Sequence, residues 1–263
     1  MTLMLQHDPA DPVPGRLLTT GQALEHCALE IFQLAPGDVL TRNEQSRELC
    51  LVLLSGRGEV GIAGLRAAAI GGRLSPFAGP GYAVYVPAGQ KIAFRAEGLC
   101  EVALCYAADV LRLHAPRIIT PAMVTISTRG SGVTERMIRD VLPETEHAAN
   151  LLVVEVITPG GHWSSFPPHK HDTDDPPHET ALEEVYYHRF SRTRGFGIQR
   201  IYTDDRAIDE VITLRDGCAV LVPRGYHPVC AAPGCDLFYL NVMAGHNRSW
   251  RVRIDPDHVP FAS

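Results

Sequence analysis

Short apolar runs cut at close intervals by glycine, proline and aspartate restrict this chain to folds made of many short strands. Leu49–Leu54 (LCLVLL) reads as a buried strand ending at Ser55-Gly56, and AVYVPAG and IAFRAEG read as two more separated by Gly89. LLVVEVITPGG, EEVYYHRF, GFGIQRIYTDD, CAVLVPRG and DLFYLNVMAG continue the pattern further along. Strands at this spacing favour an all-β sandwich or barrel over alternating strand–helix units. Helix candidates are few and short: Arg136–Leu142 (RMIRDVL) and Glu179–Glu184 (ETALEE). With 263 residues, 45% of them hydrophobic, the chain can bury one large core or two small ones.

A weak internal repeat divides it. Val86-Pro87-Ala88-Gly89 recurs as Val222-Pro223-Arg224-Gly225, an offset of 136, and the same offset brings Gly98 onto Gly234 and Glu48 onto Glu184. The expected organisation is therefore two β-barrels of one architecture, residues 1–120 and residues 133–263. The linker falls around Ala115–Gly132, where alternation is lost.

Composition excludes several function classes. A net charge of −6 argues against a nucleic-acid surface, which shows as a basic patch. No apolar run approaches the length of a membrane span, and the first residues lack the pattern of a secretory signal. The seven cysteines include no C-x-x-C pair. These features lead us to expect a cytoplasmic protein with no membrane and no nucleic-acid partner, and they are compatible with a homo-oligomer.

The chemistry concentrates in the second half. Five of the twelve histidines lie between His162 and His188. His169 and His171 form an H-x-H pair, and residues two apart on a strand project to the same side. Glu184, Tyr186 and His188 share one face of the next apparent strand, and His227 follows the repeated Val-Pro-x-Gly turn. Three imidazoles and a carboxylate suit one divalent transition metal, whether Zn, Mn, Fe, Ni or Co. At the repeat offset His227 falls on Lys91, and the first half has no H-x-H, so the first barrel is expected to carry no metal. The acidic stretches KHDTDD and TDDR read as solvated loops.

H-x-H followed by Glu, then Pro-x-Gly followed by His, resembles the two metal motifs of the cupin superfamily. The gap of twelve residues between His171 and Glu184 is longer than the general cupin pattern. The run from TPGGHWSSFPPHKH to EEVYYHRF, with VLVPRGYHPV and YLNVMAG, closely resembles the 5-deoxy-glucuronate isomerase family of inositol catabolism. LSGRGEV, GGRLSPF and YVPAG extend the likeness into the first half. The resemblance implies a bicupin and an aldose–ketose isomerisation of a uronate-type sugar acid through a metal-assisted enediol route. A metal-dependent cupin dioxygenase is the alternative on the same ligand set. In this reading His169, His171, Glu184 and His227 bind metal, and Glu184 and Tyr186 are the catalytic candidates for proton transfer. His188, Arg200 and Arg224 are candidates for substrate contact, either arginine being able to pair with the substrate carboxylate.

Overall fold

A computed structural model describes residues 2–109 and 114–261. Among them every strand pairing is antiparallel, and the only helical segments are short 3-10 turns at Pro121–Met123, Gly132–Thr134 and Pro256–Phe261. The first half is a six-stranded sheet opposed by a four-stranded one. The six run Arg117–Ile119, Ala83–Val86, Arg47–Ser55, Cys100–Ala108, Cys27–Leu34, Arg16–Thr19 in spatial order. The second half repeats this plan with a seven-stranded sheet: Met4–Leu5, Ala219–Val222, Leu182–Phe190, Leu237–Gly245, Leu152–Thr158, Arg136–Leu142, Thr125–Arg129. Opposite it lie the four strands Trp163–Ser164, Val229–Ala231, Gly197–Tyr202 and Asp209–Leu214, and the short pair His169–Lys170 with Arg253–Ile254.

The two large sheets pack back to back. Alternate residues of one central strand divide between two cores. Leu49 and Leu51 fill the first barrel, while Cys50, Val52 and Leu54 meet Val185, Tyr187, Leu240 and Val242 of the second half. Burial on both faces explains why LCLVLL is apolar throughout rather than alternating.

Three local expectations need correction. Arg136–Leu142 is a strand, paired on both sides with Thr125–Arg129 and Leu152–Thr158. ETALEE contains no helix; its last residues open the strand Leu182–Phe190. Ala115–Gly132 carries two strands, one pairing with Ala83–Val86 and the other with Arg136–Leu142.

Strand register also refines the repeat. Leu49 lies opposite Val86, and Glu184 lies opposite Val222. With the two Val-Pro-x-Gly turns superposed, Leu49 and not Glu48 occupies the position of Glu184. A one-residue slip reverses the face of a side chain. Glu48 accordingly faces the other half; its buried carboxylate accepts from Tyr85 Oη of its own half (2.6 Å) and from the backbone N–H groups of Ala149, Asn150 and Leu151 of the second. Glu183 mirrors it, accepting from the His26 N–H at 2.6 Å.

Candidate metal centre and active site

Inside the second barrel the strand Leu182–Phe190 turns Glu184, Tyr186 and His188 inward, all of them buried. The H-x-H segment and the loop after Ala219–Val222 bring imidazoles to the same point. His171 Nε2 lies 3.0 Å and His227 Nε2 3.1 Å from Glu184 Oε2. One ligand atom from each of His171, Glu184 and His227 falls within 4.8 Å of the others. His169 stands at the edge of this group, its ring centroid 5.1 Å from that of His227 and 6.4 Å from that of His171.

Backbone carbonyls fix the tautomers. His169 Nδ1 donates to Pro167 O (3.1 Å), His171 Nδ1 to Leu182 O (3.0 Å) and His227 Nδ1 to Gly225 O (2.8 Å). A carbonyl can only accept, so in each ring Nδ1 carries a proton; Nε2 of His169 and His227 is left to serve as ligand, while His171 Nε2 donates to Glu184 Oε2 and becomes a ligand on releasing that proton. His227 Nε2 is buried and, despite its nearness to Glu184, makes no hydrogen bond. An orphaned imidazole nitrogen beside a buried carboxylate is the donor set a divalent transition metal requires, so these residues fit such an ion.

Electrostatics agree with that role. Burial alone would raise the Glu184 carboxyl, but His227, His171 and Asn241 outweigh it and hold it down to about 2. Burial works against His171, yet its bond to Glu184 raises it. His169, half-buried, is pushed down to about 3 by burial and the neighbouring imidazoles. Burial also lowers His227.

Tyr186 packs against His188 with nearly parallel rings (11°), and its hydroxyl lies 3.0 Å from Ser165 Oγ. Burial raises the phenol well above its ordinary value, so it keeps its proton. His188 is sealed behind it, bonded through Nε2 to Gln199 Oε1 at 3.2 Å and lowered by burial to about 3. Neither arginine singled out for substrate contact reaches this cluster. Gln199 faces inward, so Arg200 faces out, where Asp209 pairs with it through two bonds of 2.8 Å. Arg224 is exposed on its turn.

Several supporting residues escaped the sequence reading. Asn241 donates to Glu184 Oε1 from the neighbouring strand, where it is the one amide in the run LFYLNVMAG. A buried amide in so apolar a strand is the signal that could have marked it. Asp172, assigned to a solvated loop, accepts from the Gly225 N–H (2.9 Å) and pairs with Lys170 (3.0 Å), tying the H-x-H segment to the loop that carries His227. Beside His169 opens a cavity of 590 Å³ walled by Phe166, Trp250, Val252 and the strands carrying Arg129 and Arg136.

An imidazole–carboxylate cluster inside one of two back-to-back antiparallel barrels defines the class as a bicupin. Solved oxalate decarboxylases share that fold: the *Bacillus subtilis* enzyme superposes with a TM-score of 0.66 at 12% identity, covering 96% of this chain and 79% of that one. The chain belongs to the KduI/IolB family, whose model matches residues 16–261. It is 47% identical to the 5-deoxy-glucuronate isomerase of *Geobacillus kaustophilus* over 89% of this chain and 85% of that protein. The corresponding *Bacillus subtilis* (strain 168) isomerase is 39% identical over 91% and 89%. An IolB-like protein from *Salmonella typhimurium* LT2 matches along the full length of both chains with a TM-score of 0.95 and 39% identity.

Proposed function

We propose that this protein is an isomerase interconverting 5-deoxy-D-glucuronate and 5-dehydro-2-deoxy-D-gluconate in inositol breakdown. The observation that carries the reading is the convergence of His171, Glu184 and His227 on one buried point, in a chain 47% identical to an isomerase of that name. His171, Glu184 and His227, with His169 as fourth ligand, would hold one divalent transition metal. Bound there, the metal supplies Lewis acidity toward the adjacent oxygens of the aldose.

The isomerisation moves the C2 proton to C1 and the O2 proton to O1, with no net redox change. Glu184, with its carboxyl held down to about 2, stays ionised, and it is assigned both as ligand and as the carboxylate that takes the proton from C2 and returns it to C1. Tyr186 keeps its phenol proton beside Ser165 and is assigned the relay between substrate oxygens. The apolar wall of Phe166, Trp250 and Val252 limits water around the sugar. Nothing among the contacts favours the dioxygenase alternative.

Seven free cysteines, six of them buried, support a reducing, cytoplasmic setting. No helix among the described residues is long and apolar enough to cross a membrane.

The test is proton NMR of 5-deoxy-D-glucuronate incubated anaerobically with metal-replete protein in D₂O. The expected result is conversion to the ketose with deuterium on the new CH₂OH carbon. Unlabelled product would remove the proton-transfer route, and turnover that stops without oxygen would remove the isomerase reading.

A further inference from the structure

The strand pair Thr125–Arg129 and Arg136–Leu142 presents one of its faces to the cavity beside His169. Arg136, Ile138 and Asp140 share that face by alternation, and Ile138 packs into the barrel core. Arg129 lies directly opposite Arg136, and both line the cavity. Like charges facing each other across a strand pair destabilise it unless an anion lies between them.

Among the described residues no carboxylate comes within ion-pair distance of either guanidinium. Arg136 is half-buried and bonds Thr134 O through Nη1 at 3.1 Å, while Arg129 lies over the Trp250 ring at 5.5 Å. Asp140 lines the same cavity, where burial raises its carboxyl and the charge of Arg129 acts to lower it, but it closes no ion pair with either guanidinium. Glu144, also on the wall, is engaged with Arg251 (3.0 Å) and the Trp250 N–H (2.8 Å). Burial and the charge of Arg129 lower Arg136, as expected for a cation lacking its counter-ion.

We infer that Arg136 and Arg129 form an anion subsite that receives the carboxylate of the sugar-acid substrate, the aldehyde end extending toward His169. The subsite rests on the isomerase reading for the identity of its substrate, but not for its charge preference. Two guanidiniums match the planar carboxylate group, and occupation would relieve their mutual repulsion.

The experiment separates the two claims. Binding of D-gluconate, and of sorbitol as its uncharged counterpart, is measured by calorimetry on the wild-type protein and on Arg136→Met, Arg136→Lys and Arg129→Met. The expected result is that gluconate binds more tightly than sorbitol and that each Met variant weakens gluconate by about tenfold to a hundredfold. Arg136→Lys should recover part of that loss, and sorbitol should be unchanged. Equal binding of the two probes by the wild type, or equal weakening of both by the variants, would overturn the subsite. Because Arg129 is exposed, its Met variant provides the reading even if Arg136→Met does not fold. Turnover of 5-deoxy-D-glucuronate by the wild type is followed in parallel. Its absence alongside selective gluconate binding would reject the isomerase reading and leave the subsite standing.

Discussion

Glu184 faces two imidazoles through one oxygen and accepts from Asn241 through the other, so its buried charge is answered on both sides. Glu184→Gln removes the charge while keeping the shape, and metal affinity and turnover should fall together by about a hundredfold or more. Glu183→Ala, on the opposite face, should retain metal; elemental analysis of the two variants checks the contrast. His188 reports burial rather than ligation. Its folded value of about 3 lies below the ordinary 6.5, so its contribution to stability is complete above pH 6.5 and is lost as pH falls toward 3. At pH 5 the cost of holding it neutral is about 2 kcal/mol. Denaturant melts at pH 7 and pH 5 should therefore show a steeper loss in the wild type than in His188→Gln.

The strand Arg136–Leu142 shows what element-scale reading could not reach. Its apolar residues Met137, Ile138, Val141 and Leu142 imitate a helical spacing, but a register shift between Asp140 and Leu142 has broken a β alternation. Its charged residues belong to both faces: Arg136 turns to the cavity, and Arg139 turns to Glu155, which also holds Arg73 of the first half at 2.6 Å. Glu155→Ala would leave two buried guanidiniums without their shared carboxylate and should cost about 3–5 kcal/mol by urea unfolding. The metal-ligand candidates were legible because H-x-H and Pro-x-Gly-x-His keep their members close in sequence. The arginine pair and Asn241 were not, because sheet pairing assembles them from separate strands. Arg200 illustrates the converse: it neighbours the inward Gln199 in sequence, and strand alternation turns it to Asp209.

At the scale of the whole molecule, the halves complete one another. Glu48 caps backbone N–H groups of the second half, Glu183 caps one of the first, and the terminal strand Met4–Leu5 joins the second half's sheet. With the large shared core between the sheets, these links predict a single calorimetric unfolding transition; two resolved transitions would show that the halves melt independently. The same shared core gives the Leu182–Phe190 strand a rigid backing, which holds Glu184 against the histidines from two other segments. That a metal at this cluster governs isomerisation is tested most directly by titrating metal-stripped protein with a divalent transition metal while following turnover of 5-deoxy-D-glucuronate. Activity should rise linearly and break at about one equivalent per chain. Full activity in the stripped protein, or a break near two equivalents, would contradict it.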